Sequence, residues 1–237
     1  MTQSKLLSAR SVSIVAVLAA LHAIVSLLPF TLTIGVSGQI TLGVITGPLI
    51  GLLAGPMLGG TAVLIGSLIG GFLNPAGAIF GLATFIPPTA GAIGAGLVRS
   101  ARGYLASLII VLSVLVFYAH PFGREVLFYP WLHLGAAALA ALPLSKRLRD
   151  GFGSTSLKKV TPVFLMAAFV GTLTDHAVGS AMGIWYFSSF IGPEIWRAIA
   201  FIYPVERVVA TLLCTLVGAP LYQRLKVTGL LDAIRQA

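Results

Sequence analysis

The chain alternates long apolar runs with short polar or Gly/Pro breaks, and almost nowhere shows the half-polar periodicity of a water-facing helix or strand. Apolar runs bounded by breakers cover 11–29, 39–54, 56–73, 77–98, 103–119, 128–145, 160–183 and 196–222. A spanning helix needs about 20 apolar residues. The pattern therefore predicts an all-α polytopic bundle of six to eight transmembrane helices in a single domain, 1–237. The stretch 39–73 cannot be one straight helix, because 35 residues would rise about 52 Å against a hydrocarbon core of about 30 Å. The predicted break is Gly55-Pro56, where proline removes a donor and restricts the preceding residue. The short halves are expected to be tilted, re-entrant or incompletely spanning. Asn74-Pro75 and Pro87-Pro88 are further breaks, the second inside the fourth run. The first run lacks a well-placed A-x-A site and is read as a retained span, not a signal peptide.

Composition agrees with this pattern. Of 237 residues, 57% are hydrophobic and 9% charged, against about 25% charged in soluble domains. A soluble globular enzyme and a disordered chain are both excluded. The +9 net charge, from 15 Lys+Arg against 6 Asp+Glu, then reflects basic cytoplasmic loops, not a nucleic-acid partner. With the N-terminus inside, 12 of the 15 basic residues fall on the cytoplasmic side. Arg124, Arg197 and Arg207 are the exceptions. The expectation is a plasma-membrane protein with both termini cytoplasmic. The single cysteine, Cys214, excludes an intrachain disulfide or a cysteine metal cluster.

Two features suggest close helix packing. Gly43, Gly47, Gly51, Gly55 and Gly59 recur every four residues, continued by Ala62, Gly66 and Gly70, and Gly171, Asp175, Gly179 and Gly183 repeat the spacing. Residues four apart share a helix face, and small ones let another backbone approach. The stripes serve either internal packing or docking of another membrane subunit.

Ionisable groups at membrane depth are costly and mark a cavity or a partner. The candidates are His22, Asp175, His176, Glu206 and Arg207, with Glu194 and Arg197 at an outer mouth beside Trp185, Tyr186, Trp196 and Tyr203. Two readings stand. In one, Arg207–Asp175 and Glu206–His176 are structural ion pairs locking two helices. In the other, an outward polar site is ringed by aromatics, with Asp175, His176, Trp185, Trp196, Arg197, Tyr203, Glu206 and Arg207 binding a small solute. Pro204 would free backbone carbonyls beside it. His120 and His133 are read as interfacial. No metal cluster, no cofactor site, and no P-loop, H-E-x-x-H or G-x-S-x-G motif is present, so enzymatic activity is not expected.

The first hundred residues resemble the S components of energy-coupling factor (ECF) transporters, the membrane subunits that capture vitamins or metal ions. The likeness lies in Ala9-Arg10 followed by Ala16-Val17-Leu18-Ala19-Ala20-Leu21-His22-Ala23, in Gly47-Pro48-Leu49-Ile50-Gly51-Leu52-Leu53-Ala54-Gly55-Pro56, and in Asn74-Pro75-Ala76-Gly77-Ala78-Ile79-Phe80-Gly81. The resemblance implies capture of a vitamin-like solute from outside. Ala16 and Ala20 would contact a transmembrane T subunit, ATPase subunits would be encoded elsewhere, and the loops 30–38 and 184–195 would contribute to the substrate site. Two departures stand out. That family usually has six spans, where about eight are counted here, and its nickel and cobalt members start with Met-His, where this chain reads Met1-Thr2-Gln3, so a metal substrate of that kind is not expected. A structural subunit of a larger complex and a proton-coupled secondary transporter using Asp175 or Glu206 remain the alternative functions. Membrane lipid is an expected partner throughout.

Overall fold

Breakers and caps set the helix ends. The computed structural model describes residues 8–28 and 42–235, and among these every regular element is helical. Helix α1 (Ala9–Ser26) starts at Ser8, whose hydroxyl accepts from the Ser11 N–H at 3.0 Å, an ordinary N-cap. Helices α2 (Gly43–Ala54) and α3 (Pro56–Leu73) are separated at Gly55, with φ +85°, and Pro56 opens α3. The expected break is therefore where the chain turns.

The second Pro dipeptide acts differently from the expectation. Two 3-10 turns, Pro75–Gly77 and Gly81–Phe85, follow α3, and α4 (Ile86–Arg99) begins with Pro87 and Pro88 in its first turn. Proline is tolerated there because the first N–H groups have no intrahelical acceptor. The dipeptide starts a helix instead of interrupting a span over 77–98.

Next come α5 (Gly103–Ala119), the short α6 (Pro121–Glu125), α7 (Trp131–Ala141), α8 (Ser145–Gly153), α9 (Leu157–Tyr186), α10 (Pro193–Val227) and α11 (Leu230–Arg235). Among the described residues, five segments are long and apolar enough to cross a membrane: α1, α3, Gly81–Arg99, α9 and α10. Helices α2, α5 and α7 are apolar but shorter. The run 128–145 yields the 11-residue α7 and, after Pro143, the start of α8, an amphipathic helix placed by the sequence reading in a loop. Leu148, Gly151 and Phe152 of α8 are buried, while Lys146, Arg147 and Arg149 are exposed.

The glycine stripes are filled by the chain's own helices. A Cβ at Gly51 would strike the Ala92 backbone of α4, with its Cα at 2.9 Å, and one at Gly66 would strike Ala19 and His22 of α1. Gly91 of α4 and Gly171 of α9 interlock, a Gly171 Cβ lying 2.6 Å from Ala95 Cβ. Helix α9 forms the centre of the bundle, with Phe164, Ala167, Ala168, Val170 and Leu173 fully buried. The alanines of α1 fall on two sides: Ala19 and Ala23 are buried, while Ala16 and Ala20 face outward beside exposed Val12, Val17 and Ile24. Ala19→Leu is accordingly expected to lower stability by about 1–3 kcal/mol through overpacking. Ala16→Leu should leave it within about 0.5 kcal/mol, as thermal unfolding in detergent will show.

Basic residues gather at one end. Tyr222 Oη and Lys226 Nζ of α10 both donate to the Phe152 carbonyl of α8, at 3.1 and 2.7 Å, and Gln223 donates to the Thr155 carbonyl at 2.9 Å. The Arg99 guanidinium lies 5.6 Å from the Tyr222 ring centroid. These contacts bring Arg99, the α8 cations, Lys158, Lys159, Arg224 and Lys226 to the same level.

Candidate functional site

At the other end, α9 and α10 diverge around a cavity of about 730 Å³. Gly179 and Gly183 line it on the α9 side, and Tyr203, Glu206 and Arg207 come from α10. Phe80, from between the two 3-10 turns, and Phe187, Phe190 and Ile191, from the α9–α10 connection, complete the rim. The segment 184–195 therefore contributes to the cavity, whereas 30–38 lies outside the described residues. The size is within the range usual for small-molecule sites.

Six of the eight sequence-predicted residues line this cavity: Asp175, His176, Trp196, Tyr203, Glu206 and Arg207. Two do not. Trp185 points to α5, its indole N–H donating to the Val116 carbonyl at 3.2 Å and its ring edge-on to His120. Arg197 pairs with Glu125 at 3.7 Å, both half exposed. Helical geometry accounts for both: Trp185 and Arg197 lie off the faces that carry Gly179–Gly183 and Trp196–Tyr203.

The floor is held by a stack of rings. His176 and Tyr203 are 4.5 Å apart and nearly parallel, and His133 stacks on both at 5.0 and 4.9 Å. His133 Nε2 and His176 Nδ1 share a hydrogen bond of 2.8 Å. Tyr203 Oη donates to the Tyr129 carbonyl at 2.8 Å, and Tyr129 Oη meets Ser180 Oγ at 2.8 Å. Tyr203 thus presents a fixed ring, its hydroxyl engaged within the bundle. His133 is buried, not interfacial as the sequence suggested, and with Ala136, Ala137 and Ala140 forms the buried face of α7. That i, i+3, i+4, i+7 spacing was its sequence signal. His120 is also buried, capping α6 by accepting from the Phe122 N–H at 3.1 Å.

Asp175 and Arg207 also line a smaller polar cavity of about 170 Å³, with His22, Ser67, Asn74 and Thr84. The cavities share Ile79, Phe80, Asp175 and Arg207, so the two charged groups stand at their junction. His22 is braced by Thr46 Oγ1 on Nδ1 at 2.7 Å and Ser67 Oγ on Nε2 at 3.0 Å, which joins α1 to α2 and α3. Asp175 itself is set by the stripe: a Cβ at Gly91 would fall 2.8 Å from Asp175 Cβ, so α4 approaches closely enough to orient the carboxylate.

The two ion pairs weighed from the sequence do not form. Among the described residues the salt bridge within 4.0 Å is Arg197–Glu125. Arg207 and Glu206 are both more than nine-tenths buried, yet Arg207 Nε has no hydrogen-bond partner in the protein, and neither has Trp196 Nε1 on the same wall. Buried polar groups are nearly always satisfied, and leaving one unmade costs about 1–3 kcal/mol. Both atoms are enclosed by the protein, so the part of Arg207 that lines the cavity is the rest of its guanidinium. No three His, Cys, Asp or Glu side chains among the described residues come together as metal ligands would.

Comparison with known proteins places few constraints on this site. No family model matches the chain. An uncharacterized protein of Methanocaldococcus jannaschii is 30% identical over 152 residues, 64% of this chain. The chain spans about half the length of that relative. No solved structure matches.

Proposed function

We propose that the chain is the substrate-capturing membrane subunit of an ECF-type importer, taking a small water-soluble, vitamin-like solute from the outer face. The observation that carries this reading is the convergence of Asp175, Glu206 and Arg207 with the Trp196 and Tyr203 rings on one cavity of about 730 Å³. A carboxylate of the solute meets the Arg207 guanidinium. Asp175 and Glu206 hold a polar or cationic group, and the Tyr203 and Trp196 rings pack on its flat part. With the basic end inward, the cavity faces out and both termini lie in the cytoplasm. The eight apolar helices then include short ones that do not cross alone, which brings the span count toward six.

The exposed Ala16 and Ala20 face fits a close-packed T subunit. Ala16→Trp is expected to abolish co-purification of T and ATPase subunits while leaving solute retention unchanged. Loss of retention as well would separate this face from that role.

Native mass spectrometry of protein gently extracted from its own membrane tests the reading. The expected result is a bound small molecule of defined mass. A stoichiometric multi-protein assembly with no small molecule favours the structural-subunit alternative. Uptake by the reconstituted chain that collapses with a protonophore, without any ATPase, favours the secondary transporter.

A further inference from the structure

At the basic end of the bundle, α7, α8, α9 and α10 leave a separate hollow of about 440 Å³. Its walls are apolar, including Leu144, Met166, Phe169 and Leu212. The polar groups on it are Arg147 and Thr211, and the Thr211 hydroxyl already donates to the Arg207 carbonyl at 2.7 Å. The lining residues Leu165, Val208 and Leu212 are exposed, so the hollow opens on the outer, lipid-facing surface of the bundle. Along α9 it runs from Pro162 to Phe169, seven residues or about 10 Å of rise.

Arg147 stands at the end of this slot on α8, the amphipathic helix whose apolar side is anchored by Leu148 and Phe152. It is exposed and makes no ion pair within 4.0 Å, although Asp150 is three residues on. Lys146, Arg149, Lys158 and Lys159 lie within twelve residues of it in the sequence, against the single acid Asp150 between 145 and 159. The apolar side of α8 packs on the bundle, which turns its cations outward, and basic clusters at a membrane surface draw anionic headgroups. A guanidinium above a greasy slot about 10 Å deep is complementary to a phosphate carrying an acyl chain.

We infer that this hollow is a binding site for one anionic phospholipid, its chain between α9 and α10 and its phosphate on Arg147, where the fork geometry of guanidinium suits two phosphate oxygens. The site opens on a different face of α10 from the solute cavity, from the level of Arg207 toward the basic end, and has its own lining residues.

The test is native mass spectrometry of the detergent-solubilised full chain titrated with phosphatidylglycerol or with phosphatidylcholine of identical chains. One tightly retained phosphatidylglycerol per protein is expected, preferred over phosphatidylcholine about fivefold or more, the effect of one basic residue near a membrane surface. Arg147→Gln should bring the two lipids to parity. Arg149→Gln, on the same helix but off the slot, should keep the preference, and soluble glycerol phosphate should not compete, since it lacks the chain. Equal retention of both lipids by the native chain would overturn the site. So would loss of preference in both variants alike, which would mark a diffuse surface charge, or displacement by glycerol phosphate, which would mark a headgroup-only contact. Arg147 is exposed, so both variants should match the native chain in thermal unfolding, which is measured alongside.

Discussion

Arg207→Met is expected to abolish solute retention and yet make the empty protein more heat-stable. The first half follows from the donors. A hydrogen bond to a charged group is worth about 1.5–3 kcal/mol, or tenfold to a hundredfold in affinity at 1.4 kcal/mol per decade. Losing the charge as well brings the loss to the upper end. The second half follows from the missing carboxylate partner. A buried cation with no carboxylate oxygen within 4.0 Å carries a desolvation cost that Asp175 and Glu206 offset only across a distance, and an unbranched apolar side chain of similar length removes it. A structural ion pair predicts the reverse, because breaking one costs about 3–5 kcal/mol. Thermal unfolding of the ligand-stripped protein decides between them: a lower midpoint for Arg207→Met returns Arg207 to a structural role. Arg197→Gln is the control. Its partner Glu125 is half exposed, so the pair is worth at most about 1 kcal/mol, and retention should change less than about twofold.

The parts of this structure that were legible in the sequence are those governed by one residue's covalent chemistry. Gly55-Pro56 had to break a 35-residue apolar run, and it does. The same rule misplaced Pro87-Pro88, because proline ends a helix or begins one according to whether a preceding turn exists to lose its hydrogen bond. Helix α8 was missed because its apolar side is only Leu148, Gly151 and Phe152, too few positions to stand out beside the long apolar runs. The cavity residues on α9 and α10 were found because charge at membrane depth is rare. Their partnerships were not, since sequence gives the face a residue occupies but not the distance across it. Asp175 and Arg207 share a cavity junction without closing on each other. His133 shows the same limit from the other side: its spacing with Ala136, Ala137 and Ala140 marked a buried face, but only the fold brings it to His176, 43 residues away.

Gly51→Val should be strongly destabilising, and comparison with two other glycines shows why. In α2, a Cβ at Gly51 would meet the Ala92 backbone, its carbonyl carbon at 2.7 Å and Cα at 2.9 Å. Backbone cannot rotate away as a side-chain tip can, so α2 and α4 must separate, and Gly59 of α3, packed on Gly51 itself, must follow. Overpacking typically costs about 1–3 kcal/mol. With two helix contacts displaced together, the expected loss is at or above the upper bound, seen as collapse of the monodisperse peak in size-exclusion chromatography after mild heating. Gly135 of α7 is the opposite case: a Cβ there meets nothing within 4 Å, so Gly135→Ala should stabilise by about 0.5–1 kcal/mol through helix propensity. Gly171 lies between the two and connects packing to the site. Its Cβ would press Ala95 at 2.6 Å and the Gly91 carbonyl at 2.9 Å, and Gly91 is the residue against which Asp175 is seated. Gly171→Ala should therefore cost solute retention more than it costs fold, because a shift of α4 by a few tenths of an ångström is enough to move the carboxylate at the junction of the two cavities. Retention unchanged in Gly171→Ala, with a lowered unfolding midpoint, would show that Asp175 is held by packing for stability alone.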